Sequence, residues 1–477
     1  MYDFGATSFE GEGLNPAMKQ LKQHLLRFFV TLPPEWRWGT AFSGAFEMLR
    51  STERWSAEDL RRLQKKYLKE VLTLAVHDTQ AYGNYKGLID RFPDGWPLVS
   101  KTTLRENRAD YLARSFDDRM RLYCSTGGTT GRPFEFFYQK DFSVNREKAF
   151  FLDMWSRIGF KWHSKVARLR GDVFTSDEVK KGIFAKEHFE RWEFGGRLLL
   201  SSFHMNDANL RHYAELIRKK NIEYLHAYFS SAVTFAEFLW THNIKLSPPL
   251  KGVFCGSENL YPGQREIIEK GFGCRMFSFY GHSEKCVLAG ECEHNNYYHV
   301  YPQYGVLELL DEQDLAITET GKMGRIVGTG FNNFVMPFIR YETDDFAEYL
   351  SLDGCPECGR HYPVLRAVQG RWLQEHLVNG DGNLVSMTAL NIHSDLMRNV
   401  QQFQFYQDKR GEVELRIVPK MGFSVDEEGA IIGDLRPKLG ERTVITIKRV
   451  DRVQLSNIGK YRFIIQMLSI DKNVCAE

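Results

Sequence analysis

The sequence predicts an α/β protein with a helical N-terminal region and a separate small α+β domain at its C-terminus. Helical spacing dominates the start of the chain, short apolar runs alternate with helical patterns through the middle, and the pattern changes after about residue 370. A chain of 477 residues is long enough for more than one domain. The expected divisions are residues 1–115 for the helical region, 116–370 for the α/β core and 371–477 for the tail domain.

The helical region is predicted from a start signal and an apolar stripe. Ser56 followed by Asp59 resembles a capping box, in which side chains satisfy the first free N–H groups of a helix. Apolar side chains then recur at helical spacing, at Leu60, Leu63, Tyr67, Val71 and Leu74.

The strands of the core are predicted from short apolar runs at 223–226, 252–255 and 325–328, which lie beside Gly or Ser or between helical patterns. In the tail, apolar residues alternate with charged ones from Glu412 to Ile417, which is typical of a half-exposed strand. Residues 444–450 and 461–466 are expected to form further strands.

Composition excludes several classes of protein. The balance of 43% hydrophobic and 26% charged residues excludes collagen and general disorder, and a net charge of +2 gives no bulk electrostatic case for binding nucleic acid. No apolar run approaches the length of a membrane span, and the N-terminus lacks the pattern of a secretory signal. Scattered cysteines favour reduced thiols or a metal site, so we expect a cytoplasmic protein. The aromatic share of 14% is compatible with a pocket for an apolar or aromatic group.

The most informative segment is a glycine-rich loop at 125–131, in which three Gly and four hydroxyl residues fall within seven positions. Glycine lets backbone N–H groups approach an anion, and Ser and Thr hydroxyls add donors, so such a loop can wrap a polyphosphate. It matches neither the Walker loop nor the dinucleotide fingerprint. The alternative is a flexible surface turn.

This loop resembles the phosphate-binding loop of the adenylate-forming enzymes, and the chain looks most like their phenylacetate–coenzyme A ligase-like branch, which includes members of capsular polysaccharide pathways. The resemblance implies a large N-terminal domain and a small mobile C-terminal domain. It also implies that ATP and a carboxylate give acyl-AMP and pyrophosphate, after which the acyl group passes to a thiol or an amine. The loop residues expected to bind ATP are Ser125, Thr126, Gly127, Gly128, Thr129, Thr130 and Gly131.

Two further segments resemble family motifs around the nucleotide. In Phe279–Glu284 the resemblance implies that Tyr280 flanks the adenine beside Gly281, that Ser283 meets phosphate and that Glu284 holds Mg²⁺. A carboxylate suits this hard cation. The segment Gly256, Ser257 and Glu258 follows a predicted strand, so it is expected at the carboxyl end of the sheet, where ligands bind.

The remaining nucleotide contacts are implied by three motifs towards the C-terminus. Asp345 takes the place of the family's ribose-binding Asp, because one carboxylate can accept from both hydroxyls. Asp344 stands where the family has Gly. Arg371 is expected to reach ribose or phosphate, and Lys460 to contact the substrate carboxylate and the α-phosphate during adenylation.

A zinc site is predicted from the knuckle-like pair Cys355 and Cys358. A tetrahedral site needs two more ligands, and the residues alone leave Cys292, His294 and His299 as upstream candidates. The resemblance selects Cys292 and His299, because relatives have a Cys and a nearby His in corresponding places. Ordinary reduced cysteines in a glycine turn are the alternative.

The resemblance also places Tyr228 at the border of the acyl pocket, in a segment similar to the family's Gly-Tyr-Pro-Ser. We therefore expect an ATP- and Mg²⁺-dependent ligase that activates an organic acid, aryl or otherwise apolar, and transfers it to coenzyme A. Transfer to an amine of an amino sugar or amino acid is the alternative within the family, and a catalytically silent nucleotide-binding relative is another. A zinc-dependent binding module would leave the glycine-rich loop without a role. A homodimer is compatible with the sequence.

Overall fold

A computed structural model describes residues 24–126, 134–172, 174–189, 194, 197–258, 260, 263–369, 376–390, 395–397, 399–454 and 464–468. The α-helices are α1 Pro34–Thr52, α2 Ala57–Asp78, α3 Lys101–Glu106, α4 Ser143–Ser156, α5 Ser176–Lys180, α6 Asp207–Lys220, α7 Phe229–Thr241, α8 Gln264–Phe272, α9 Met387–Leu390 and α10 Val425–Leu439. Short 3₁₀ helices cover Gly83–Arg91, Arg108–Tyr111, Asp118–Met120 and Asp395–Met397.

The strands alternate with these helices. In chain order they are β1 Arg121–Thr126, β2 Phe134–Gln139, β3 Val166–Arg170, β4 Ala185–His188, β5 Arg197–Ser201, β6 Tyr224–Ala227, β7 Gly252–Cys255, β8 Met276–Gly281, β9 Leu288–Glu291, β10 Tyr298–Val300, β11 Gly305–Leu310, β12 Met323–Gly330, β13 Tyr341–Ser351, β14 Val364–Gln369, β15 His376–Val378, β16 Leu384–Ser386, β17 Val400–Lys409, β18 Glu412–Pro419, β19 Val444–Arg449 and β20 Ile464–Gln466.

The chain divides into two compact units. Unit 1 contains residues 1–124, 135–163 and 277–371, and unit 2 contains 125–134, 164–276 and 372–477. In unit 1 the strands run in the order β11-β12-β13-β14-β10-β9-β8, and each described pair is antiparallel. Helix α1 packs on α4 in the same unit, where Trp38, Phe42 and Trp155 are buried.

Helix α2 begins where its start signal predicted, and its five predicted apolar positions are buried or half-buried. Ser56 is the N-cap, and its hydroxyl accepts a hydrogen bond from the Asp59 amide at 3.1 Å. Leu60 and Val71 are buried as expected. The other predicted positions, Leu63, Tyr67 and Leu74, are half-buried, and Leu72, Ala75 and Val76 are buried as well.

In unit 2 a parallel sheet has the order β7-β6-β3-β5, with β4 antiparallel at the edge of β5. Strand alternation separates its two faces. One face contributes Leu169, Leu225, Val253 and other apolar side chains to a buried core that includes residues of α6, α7 and α8. The opposite face carries polar groups in register, since Arg168 lies beside His226. Strands β6 and β7 confirm the apolar runs predicted at 223–226 and 252–255.

The tail residues of unit 2 form a sheet of order β19-β18-β17-β20 with α10 beside it. Val413, Leu415 and Ile417 of β18 are buried and their neighbours are more exposed, which confirms the predicted alternation. The predicted strand at 461–466 is found as β20, and residues 461–463 lie outside the described part. Within the described residues, no helix has the length and apolar character needed to cross a membrane.

Candidate active site and metal centre

Two of the predicted nucleotide-binding residues meet in unit 1. Tyr280 lies at the end of β8, just before Gly281, and its hydroxyl donates a hydrogen bond of 2.8 Å to the carboxylate of Asp345 on β13. Burial raises the pKa of the Tyr280 phenol well above its ordinary value, and the negative charge of Asp345 raises it further, so the phenol keeps its proton and donates. The structure therefore joins two motifs that are far apart in the sequence.

The backbone before Asp345 explains the departure from the family motif. Asp344 has a φ of 65°, in the left-handed region that glycine adopts at no steric cost. Asp tolerates this region better than most residues. The Asp345 amide donates to the hydroxyl of Thr343 at 3.2 Å, which helps to hold the turn. Asp at position 344 thus preserves the turn for which the family uses glycine.

Glu284 is a buried carboxylate with several partners. It accepts a hydrogen bond of 2.7 Å from the hydroxyl of Tyr341, His282 Nδ1 lies 3.3 Å away, and Lys101 Nζ lies 3.9 Å away. Burial by itself raises its pKa, but the hydrogen bond from His282, the charge of Lys101 and the hydrogen bond from Tyr341 lower it to about 2. Glu284 is therefore ionised near neutral pH, as a ligand of Mg²⁺ must be.

Buried residues of unit 1 hold the segment around Glu284 in place. The hydroxyl of Tyr138 donates to the backbone carbonyl of Ser283. The next side chain along, Lys285, is fully buried and forms an ion pair with Glu147, which also accepts a hydrogen bond of 2.6 Å from Tyr304. These contacts fix the chain on both sides of Glu284.

Other predicted residues lie in unit 2. Gly256, Ser257 and Glu258 directly follow β7, as expected, and Glu258 accepts hydrogen bonds from the amide and the hydroxyl of Ser230, at 2.9 and 3.1 Å. Ser230 is in the first turn of α7, so this carboxylate caps the helix. The contact of Glu258 with Ser230 therefore has a structural role, because it stabilises the start of α7.

Tyr228 immediately precedes α7 and is mostly buried. It belongs to a core cluster with Phe203 and tail residues such as Leu377 and Val385. The centre of its ring lies 4.6 Å from the guanidinium of Arg170. Tyr228 therefore packs against the tail and also borders a charged group, so its contacts are not only apolar.

Several predicted residues cannot be placed in full. Ser125 is half-buried in β1, and Thr126 is the last residue of that strand. Gly127, Gly128, Thr129, Thr130, Gly131, Arg371 and Lys460 lie outside the described residues.

The four predicted zinc ligands come together in unit 1. Ligand atoms of Cys292, His299, Cys355 and Cys358 all lie within 4.8 Å of one another, and the four residues are buried. Cys358 Sγ and His299 Nε2 are 3.7 Å apart. Tetrahedral zinc with bonds of about 2.3 Å to sulfur and about 2.0 Å to nitrogen separates its donors by roughly this distance. The donor set and its spacing therefore fit a structural zinc ion.

The pKa shifts of His299 and Cys355 suit metal binding, whereas burial raises the pKa of the Cys292 thiol to about 12. Burial lowers the pKa of His299 to about 3, so its imidazole is neutral and can ligate. Burial raises the pKa of Cys355, but backbone hydrogen bonds from Cys358 and Glu357 outweigh it and the pKa is lowered overall. The side-chain amide of Asn295 lies 3.6 Å from the Cys355 sulfur. The other upstream candidate, His294, contributes only its backbone amide, 3.4 Å from the sulfur of Cys292.

Ion pairs that the sequence did not predict surround the metal-binding loops. Arg360 contacts Glu293 at 2.6 Å and Glu53 at 2.5 Å, and Arg54 donates to the carbonyl of Cys358. These contacts tie the end of α1 to the two loops that carry the ligands. None of the cysteines in the described part of the chain forms a disulfide.

Comparison with known proteins agrees with this geometry. Residues 377–467 match the family described as the CapK C-terminal domain. The chain is 22% identical over 429 residues to a phenylacetate-coenzyme A ligase of Thermus thermophilus, covering 84% of this chain and 91% of the relative. These matches support a resemblance to the phenylacetate–coenzyme A ligase-like branch of the adenylate-forming enzymes. The chain is also 24% identical over 255 residues to protein CapK of Staphylococcus aureus, and this match spans about half of each protein, 53% of the length.

Solved structures share the fold of this chain. A crystal structure of 2-hydroxyisobutyryl-CoA ligase with 2-HIB-AMP and CoA in the thioesterification state matches with a TM-score of 0.56 and 17% identity, over 87% of this chain and 91% of the other. An open conformation of that ligase matches with a TM-score of 0.53 and 17% identity, over 87% and 93% of the two chains. The predicted α/β fold with a separate C-terminal domain is thus confirmed.

Proposed function

We propose that the protein uses ATP to activate an organic carboxylate as acyl-AMP and then transfers the acyl group to coenzyme A. In the first step a carboxylate oxygen forms a bond to the α-phosphorus of ATP, and the bond from that phosphorus to pyrophosphate breaks. In the second step the thiol sulfur forms a bond to the acyl carbon, and AMP leaves. Neither step needs a nucleophile from the protein, so positioning and charge stabilisation carry the catalysis.

The observation that carries this proposal is the cluster of Tyr280, Asp345 and Glu284 in unit 1. Asp345 accepts from Tyr280 and keeps carboxylate acceptor capacity for the ribose hydroxyls, because two oxygens offer about four lone-pair sites. Glu284 is ionised and held by three neighbouring side chains. A polar nucleoside and a hard cation are the ligands that this pair of carboxylates suits.

Within the proposed reaction each predicted residue keeps the role that the resemblance implies. The loop at 125–131 and Ser283 bind phosphate, the segment 256–258 lies beside adenine, and Arg371 and Lys460 complete the charge around the α-phosphate. Mg²⁺, held by Glu284, would neutralise the leaving pyrophosphate. We further propose that the tail, from about residue 371, is a mobile domain that delivers Lys460, which is a gating motion.

The proposed zinc ion has a structural role. Its ligands are buried and supply four protein donors, and structural sites are closed in this way. The ion would hold the loop at 355–358 against the hairpin of β9 and β10, whose strands pair antiparallel. The protein's proposed co-substrates and its reduced thiols lead us to place it in the cytoplasm.

Pyrophosphate release measured with a panel of organic acids tests the proposed activity. We expect release from Mg-ATP only when a suitable acid is present, and release that is slower by roughly 10²–10³ with the Glu284→Gln variant. Acceptors are then offered in turn, coenzyme A first and amines second. Acid-independent formation of ADP would refute an adenylate-forming reaction, and product only with amines would replace coenzyme A as the acceptor.

A further inference from the structure

A tight turn after β8, within unit 1, brings the side chains of His282 and Glu284 together. The amide of Lys285 donates to the carbonyl of His282 at 3.0 Å, which closes the turn. Lys285 has a φ of 58°, a conformation that is costly for a residue with a side chain. The ion pair of its buried ammonium with Glu147 helps to keep this conformation in place. The turn therefore fixes the spacing between His282 and Glu284.

The imidazole of His282 has a different partner on each nitrogen. Nε2 lies 3.3 Å from the amide nitrogen of Val287, and an amide N–H can only donate, so Nε2 is the acceptor and carries no proton. The ring proton is therefore on Nδ1, which lies 3.3 Å from Oε2 of Glu284. The backbone of Val287 thus selects the tautomer that donates to the carboxylate.

The two carboxylate oxygens of Glu284 have different donors. Oε2 accepts from His282, whereas Oε1 accepts from the hydroxyl of Tyr341 at 2.7 Å. The side chains of His282 and Glu284 are only 11% and 6% exposed, so solvent competes little for these contacts. The last torsion of a glutamate side chain is broad, and donors on both oxygens restrict its rotation. Removal of either donor should therefore leave the carboxylate less well oriented.

We propose that His282 is a positioning residue for the Mg²⁺ site: it orients Glu284 through its Nδ1–H group and does not itself touch the ion or the nucleotide. This inference rests on the proposed function, because it concerns the carboxylate that would hold the ion. Mg²⁺ demands near-ideal octahedral geometry, so a freely rotating ligand binds it less well. Removal of a group that orients a metal ligand typically costs roughly 10- to 100-fold in metal affinity.

Two dissociation constants, measured by titration calorimetry, test this role without catalysis. The first is for the Mn²⁺ complex of α,β-methylene-ATP, which cannot release pyrophosphate, so no acid substrate is needed. The second is for AMP without metal, which reports the nucleoside site alone. His282→Ala should weaken binding of the Mn²⁺ complex by roughly 10- to 100-fold and leave AMP binding unchanged. A role in packing alone would move both constants, because the His282 ring centre lies 6.1 Å from that of Tyr280.

Two conservative variants distinguish the nitrogens of His282. The amide nitrogen of Asn is as many bonds from Cβ as Nδ1 of His, and the amide nitrogen of Gln is as many bonds away as Nε2. His282→Asn should therefore keep most of the affinity for the Mn²⁺ complex, and His282→Gln should lose it as His282→Ala does. His77 is the matched control, because its Nδ1 also has an oxygen partner, the carbonyl of Thr73 at 2.8 Å, on the exposed side of α2. His77→Gln should leave both constants unchanged.

The outcomes separate the inference from the proposed function. Unchanged binding of the Mn²⁺ complex by His282→Ala, or equal losses for the complex and for AMP, overturns the positioning role, while binding by the wild type still supports a nucleotide-dependent enzyme. Rescue by Gln and not by Asn also overturns it, because the contact would then belong to Nε2. If the wild type binds AMP but not the Mn²⁺ complex, the metal site and the inference fail together and the nucleoside site stands. Binding of neither ligand overturns the inference and the proposed function. If His282→Ala does not fold, the comparison of the Asn and Gln variants decides.

Discussion

The hydroxyl of Tyr280 donates a hydrogen bond of 2.8 Å to the carboxylate of Asp345, and these residues come from two motifs at opposite ends of the antiparallel sheet segment β8 to β13. In the proposed nucleotide site, this contact would orient the carboxylate before the nucleotide binds. A preorganised acceptor loses less conformational freedom on binding, which favours affinity for the nucleoside.

Asp345→Asn should weaken ATP binding, because the amide oxygen is uncharged and cannot accept from two hydroxyls as strongly as a carboxylate. We expect the KM for ATP to rise about 10- to 100-fold in the pyrophosphate assay. Asp344→Asn is the matched control, since Asn also tolerates the left-handed conformation and the residue has no assigned contact with ATP. Equal effects of the two variants would refute the assignment of Asp345.

Glu284→Gln should lower kcat by roughly 10²–10³, in line with the loss of one electrostatic contact to a developing charge.

The thermal stability of Glu284→Gln should also depend on pH differently from that of the wild type. The folded-state pKa of Glu284 is about 2, below its ordinary value of 4.5, so the ionised group stabilises the fold above pH 4.5 and that contribution is lost as the pH falls towards 2. The Tm advantage of wild type over Glu284→Gln should therefore shrink as the pH falls from 6 to 3, by scanning calorimetry. An advantage that grows in acid would contradict the assignment.

Purified protein should contain about one zinc ion per chain, and Cys355→Ser should lose the metal and lower Tm. The chain offers two close controls. His299→Ala should lose zinc, whereas His294→Ala, two positions after the ligand Cys292, should keep it. Cys274→Ser removes a free thiol outside the cluster and should leave the metal content unchanged. Metal analysis that finds no zinc in the wild type would exclude the site.

Lys460→Ala should slow acyl-AMP formation by about 10²–10³, because it removes a cation aimed at developing charge. Transfer from synthetic acyl-AMP to the acceptor should be much less affected, because the family uses a different orientation of the tail for that half-reaction. Lys448→Ala, an exposed lysine of the same tail, should leave both half-reactions unchanged. Equal losses in the two half-reactions would reject alternation of the tail domain.

The sequence predicted those parts of the site that depend on short, ordered motifs. Tyr280, Glu284 and Asp345 could be assigned because their neighbours in sequence resemble the family. The contact of Arg170 with the Tyr228 ring could not be predicted, because an arginine at alternating positions of a strand normally indicates an exposed face. The environment of Arg170 depends on the pairing of β3 with β6 and the position of β7, which is non-local and is decided by tertiary packing. Lys101 and Tyr341 were not predicted as site residues, because their contacts with Glu284 arise only in the three-dimensional structure.

The carboxylate of Glu258 at the start of α7 limits how this end of the sheet can recognise anions. A helix N-terminus attracts negative charge without any help from side chains, and many α/β proteins use it for the phosphates of their ligands. Here the chain satisfies that helix end internally, through Ser230. Any selectivity for a negatively charged ligand near α7 then depends on individual side chains and not on the backbone N–H groups of the helix. Selectivity of this kind can diverge among relatives by single substitutions, with no change in the fold.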